Sequence, residues 1–248
     1  MKTLSAENFA RARDYILSRA RPLEQAMYRF HFEQERPDAV WQKLAGYQNA
    51  DGGFGHALEP AMRTPASSAL AAGIALRLLA QTGVPQDHAL VREGVAYLRD
   101  TLDPQTLTWR VVPQDANDHP HAPWWHDQDG SLADTFDAYQ VIPRAELVAY
   151  LYHFSGPLPA SWLVDVKDAT VLAIEHLPMG GGGGDDIVYA LRLAKEPRLG
   201  IADQERLLRR VREVSGASVA RDPAQWETYS TPPLKLAPTP LSPVADLF

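Results

Sequence analysis

Gln48-Asn49-Ala50-Asp51-Gly52-Gly53-Phe54-Gly55 breaks the chain between two helical stretches, and those stretches decide the fold. Three glycines in eight residues permit positive φ and tight turns, so no helix runs through them. Before the break, residues 38–48 place Val40, Trp41, Leu44 and Tyr47 at helical spacing, with Asp38 as N-cap. After it, Thr64-Pro65 reads as a cap followed by proline at the first helical position. Residues 66–80 then hold a single charge, Arg77, and small residues fill their first half. A helix apolar nearly all round is buried on all sides, and small side chains let its neighbours approach closely. The expectation is an inner helix of a layered α-helical fold.

Outward from this helix, residues 87–101 carry Leu90, Val91, Val95 and Leu98 on one stripe and charges opposite, as an outer helix does. Upstream, residues 5–20 open at Ser5 and turn Phe9, Ala12, Ile16 and Leu17 inward, and a second helix runs from Pro22 to about Glu35. Downstream, helices are expected at about 132–140, 143–155, 159–177, 185–196 and 202–215. No stretch alternates as a strand would. The fold class is all-α, in one domain over residues 1–248, with inner and outer helices in stacked hairpins that close a ring or arc.

Three segments depart from this periodicity. Residues 103–131 hold Trp109, Trp124, Trp125, three histidines and four prolines; a loop this long is usually functional or has its own order. Residues 180–184 are five consecutive glycines, a connector or the replacement of a longer loop. Residues 230–248 contain five prolines among leucines and are expected to lie extended along the helices.

Composition narrows the function by exclusion. The chain has no cysteine, which removes disulfides, thiolate nucleophiles, Fe–S clusters and sulfur-ligated zinc. A net charge of −7 gives no basic footprint for nucleic acid. No apolar run is long enough to span a bilayer, and charges within residues 1–20 do not fit a signal peptide. The expected location is cytoplasmic, without stable membrane insertion; the oligomeric state stays open.

Gln48, Gly52 and Phe54 follow the pattern glutamine, three residues, glycine, one residue, aromatic. This resembles the glutamine–aromatic repeat of terpenoid cyclases and the glycine-rich turn of protein prenyltransferase β-subunits. Residues 57–65 and Pro120-His121-Ala122-Pro123-Trp124-Trp125 look like a bacterial prenyltransferase-like branch. The resemblance covers residues 38–82, with weaker similarity at 109–126 and 226–243. It implies an α/α toroid with an apolar central cavity for an isoprenoid or other lipid-like ligand. It also implies a structural role for Gln48, Asp51, Gly52, Gly53 and Phe54, in which Gln48 donates to helix carbonyls and Phe54 covers them. The family's zinc site uses a cysteine that this chain lacks, and neither Asp-x-Asp-Asp nor Asp-Asp-x-x-Asp occurs. Asp185-Asp186 reads instead as acidic residues at a helix start.

The candidate catalytic residues are His56, Glu59 and Arg63, in the turn before the inner helix. His56 suits a general base. Glu59 is either an ion-pair partner of Arg63 or an acid raised by burial. Candidate ligand-binding residues are Trp109, Trp124, Trp125 and His121, with Tyr139 beside them; aromatic walls suit carbocations, sugars or peptide groups, or they fasten the loop. His119, His121 and His126, near Asp127 and Asp129, are a candidate site for a divalent metal; no cofactor is otherwise expected. Asp127 and Asp129 match only part of a calcium loop, and Asp134 and Asp137 share a helical face. The leading expectation is a prenyltransferase- or cyclase-like protein for a small apolar ligand. A non-catalytic binding module on the same scaffold is the alternative, and a carbohydrate-active α/α barrel would require two carboxylates about 5–10 Å apart.

Overall fold

The computed structural model describes residues 3–135, 139–156, 158–179, 184–227 and 231–248. Among these residues the chain is all-α, and its β-pairing is confined to isolated bridges. The helices are α1 (Ala6–Arg19), α2 (Pro22–Phe32), α3 (Asp38–Leu44), α4 (Ala69–Gln81), α5 (Ala89–Thr101), α6 (Ser131–Thr135), α7 (Arg144–His153), α8 (Ala160–Glu175), α9 (Asp185–Ala194), α10 (Ile201–Ser218) and α11 (Pro233–Leu236). Asp137 and Gly180–Gly183 lie outside the described residues.

Helices α4, α7 and α9 pack side by side as an inner row. Their sequences explain the position. Helix α4 buries Ala69 through Gly73, Ala75, Leu76 and Leu79, and α7 buries every residue from Arg144 to Ala149. Gly73 sets the spacing: a Cβ there would stand 3.1 Å from Leu147 Cδ2. Helices α5, α8 and α10 back this row, each burying one stripe, such as Leu90, Val91, Val95 and Leu98 of α5. Trp41 of α3 donates from Nε1 to Thr82 Oγ1 at 2.9 Å, which ties α3 to the end of α4.

Several boundaries differ from expectation. Helix α4 begins at Ala69, not at Pro65, and its N-cap is Ser68, whose hydroxyl accepts from Ala71 N at 3.0 Å. Ser68 N donates to Phe54 O at 3.0 Å, so the preceding residues are held extended against the glycine turn and cannot wind. Thr64 accepts from Ala66 N instead, as a local turn. Helix α3 stops at Leu44 and continues as a 3-10 turn over Ala45–Tyr47. Helix α6 is described over Ser131–Thr135, and residues 136–138 of the stretch expected to be helical lie outside the described residues.

Helix α1 is capped by Ser5 as expected, yet it buries no residue. Its main neighbour is α2, so the stripe read as inward-facing is covered only in part. Phe9 meets the edge of Phe32 at 5.8 Å, and Leu4, Tyr15 and Phe32 remain exposed. At the other end, Leu236, Ala237 and Val244 are buried, and Arg212 pairs with Asp246 at 2.6 Å, fastening the proline-rich segment to α10. Gly184, at φ +70°, precedes α9, whose first turn carries Asp185 and Asp186 near its positive dipole end.

Candidate functional site

The glycine turn is a clamp between α5 and residues 65–68. Gly52 has φ +83°, and a Cβ there would stand 2.6 Å from Glu93 O on α5. Gly55 comes equally close to the carbonyls of Pro65 and Ala66. Asp51 Oδ1 accepts from Gly53 N at 2.9 Å and from Ser67 Oγ at 2.8 Å. Gln48 Nε2 donates to Gly52 O at 3.0 Å and to Leu90 O at 3.4 Å. Phe54 is fully buried, with its ring against Gly94 of α5. Gln48, Gly52 and Phe54 therefore hold the turn on α5, and Asp51 ties it to Gly53 and Ser67.

Each of the three candidate catalytic residues makes its own local contact. His56 is exposed, and its Nε2 hydrogen-bonds Asn49 Oδ1 at 2.8 Å. Glu59 accepts from Ala61 N at 3.1 Å, closing its own turn. Among the described residues no ion pair joins Glu59 to Arg63, so the pairing read from their spacing is corrected. Arg63 is exposed, and its backbone N donates to Pro120 O at 3.0 Å. Beneath them, the space bounded by Gly55, Leu58, Glu59 and Met62 has no room for a water molecule. His56 and Ala57 both have positive φ, at 54° and 61°, which is uncommon for residues other than glycine.

Residues 61–63 pair with residues 120–122. Ala122 N donates to Ala61 O at 2.8 Å, and Met62 bridges His121 antiparallel. Residues 57–65 and the Pro120–Trp125 stretch thus meet in space. Trp125 is buried beside them with Met62, Leu70, Val111, Val112 and Leu132. Trp109 is buried elsewhere and donates from Nε1 to Leu98 O at 2.6 Å. Trp124 is 61% exposed. The three tryptophans therefore do not line one wall.

Two of the three histidines stack together, and the third faces Asp115. His121 Nδ1 donates to His119 O at 2.7 Å, and its Nε2 lies 3.0 Å from Nδ1 of the stacked His126. His119 faces Asp115, with Nε2 3.5 Å from Oδ2. Among the described residues, no group of three or more His, Asp or Glu side chains could hold a metal ion. Asp127 is used locally, accepting from Leu132 N at 3.3 Å.

A different constellation spans the inner row. Glu146 of α7 is 3% exposed. Its Oε1 accepts from Arg77 Nη1 of α4 at 3.1 Å, and its Oε2 lies 2.8 Å from Arg192 Nη1 of α9. The guanidinium of Arg192 stands 5.0 Å over the ring of Tyr189. Burial, then the Glu146 carboxylate, pushes the phenols of Tyr150 and Tyr189 up to about 12. Both remain O–H donors at neutral pH. Two guanidinium groups against one carboxylate leave one positive charge on a partly open face, since Arg77 and Arg192 keep 26% and 32% exposure. Sequence reading missed this group, although its signal was the single charge within residues 66–80.

No family model matches the chain, and no match was found among curated proteins or solved structures.

Proposed function

We propose that the protein is a terpenoid cyclase- or prenyltransferase-like α/α toroid that binds a lipid-like ligand rather than transforming it. The observation that carries the reading is the Arg77–Glu146–Arg192 triad with Tyr150 and Tyr189 beside it. Ile74 and Leu78, partly exposed on α4, add apolar surface near Arg77. Such a face suits a ligand with an apolar body and an oxygen-rich or anionic head. Both carboxylate oxygens of Glu146 are engaged by arginine, and the tyrosines keep their protons, so the face offers hydrogen-bond donors and no free base. The alternating rows of helices and the Gln48–Phe54 clamp support the toroid, by resemblance.

The test is binding and turnover with prenyl diphosphates and squalene-type polyenes, followed by calorimetry and product analysis. Binding without product, lost in a R77M/E146L/R192M variant that still folds, is the expected outcome. Product formation would overturn the binding-only reading, and absence of binding would overturn the ligand reading.

A further inference from the structure

We propose that a second cleft, between α7, α8 and the Asp103–Thr108 turn, binds the carboxylate of a small organic acid, with Arg144 as its charge partner. The cleft encloses about 530 Å³ and is lined by Thr106, Gln140, Arg144, Ala173, His176 and Leu177. That volume lies within the range of small-molecule sites, which runs from about 300 to 1,000 Å³.

Arg144 is the unusual member. It is 2% exposed, and burial lowers its guanidinium to about 10. Nη1 donates to Leu107 O at 3.1 Å and Nη2 to Ala169 O at 2.9 Å. No ion pair reaches it among the described residues, and Nε is buried without a hydrogen-bond partner. Two backbone carbonyls are dipoles and do not neutralise a buried charge. Arginine is almost never fully buried unless paired with an acid. The contrast lies two residues along the same helix, where the buried Glu146 is matched by two arginines. Residues two apart on a helix point about 200° from each other, so cleft and triad lie on different sides of α7.

The surroundings favour an anion with an apolar body. Arg144 opens the first turn of α7, where the helix dipole adds to its positive potential. Thr106, Gln140 and His176 supply polar groups, and His176 is anchored through Nδ1 to Leu172 O at 2.7 Å. Val141, Ala173 and Leu177 form the apolar part of the wall. Inorganic phosphate would leave that part wet, whereas an aliphatic acid covers it.

Isothermal calorimetry with octanoate, 1-octanol and inorganic phosphate tests the assignment on the full chain. Octanoate is expected to bind at least about ten-fold more tightly than either of the others, and R144M to lose at least that factor. R144K is expected to keep part of it. Should R144M fail to fold, L172E replaces it: Leu172 is 55% exposed and lines the cleft, so a carboxylate there repels octanoate without disturbing the core. The proposal is overturned by absence of octanoate binding, by octanol or phosphate binding as tightly as octanoate, or by undiminished octanoate affinity in folded R144M or in L172E.

Discussion

Phe54 is the side chain on which the glycine turn depends. It is fully buried against Gly94, so Phe54→Ala leaves a cavity beside α5. Chemical denaturation should show a loss of about 3–5 kcal/mol. Gly52→Ala should cost about 1–3 kcal/mol for its positive φ alone, besides the approach to Glu93 O. The tryptophans separate by the same measurement: Trp109→Ala should cost about 3–5 kcal/mol, while the exposed Trp124→Ala should stay within about 0.5 kcal/mol. At this scale the glycine–aromatic motif was legible, because its residue types serve local backbone needs. His56, Glu59 and Arg63 were grouped by proximity along the chain, whereas His56 and Ala57 have positive φ, which their spacing does not announce.

The inner helices were recognisable from their small and apolar residues, but their contacts across the row were not. Arg77, Glu146 and Arg192 are far apart in sequence and meet only when α4, α7 and α9 align. Removing the carboxylate leaves two cations facing each other. Glu146→Gln should therefore destabilise the protein by about 3 kcal/mol, at the lower end for buried pairs because both arginines are partly solvated. Replacing the whole triad with Met, Leu and Met should leave stability within about 1 kcal/mol of the parent or raise it. Thermal unfolding of the two variants decides whether the triad is a brace or is retained for a ligand. Helix α4 also shows the limit of cap reading. Thr64-Pro65 is a sound start signal, yet the hydrogen bond from Ser68 N to Phe54 O delays the helix by four residues.

Across the whole molecule, pH dependence follows from phenol burial. Tyr97, Tyr139, Tyr150 and Tyr189 are each pushed up to about 12, in every case first by burial. A raised pKa means that the folded chain keeps its proton longer than the unfolded one. This stability is complete below about pH 10 and is lost as pH rises towards 12. Arg144, lowered to about 10, acts in the opposite direction, as one group against four. The melting temperature should therefore fall across that window, and a Y150F/Y189F variant should flatten the fall. Its near-ultraviolet titration should also lose two late-ionising phenols. Fold class was legible at this scale because helical periodicity is local; the paired segments at 61–63 and 120–122 were not, because nothing in either segment names its partner.

Helix α1 has a separate consequence. A helix with no buried side chain gains little from the core, so its amides can open without the rest of the molecule. In hydrogen exchange, residues 6–19 should take up deuterium orders of magnitude faster than α4 or α7, at rates insensitive to mutations in the inner row. The cooperative folding unit then begins at α2.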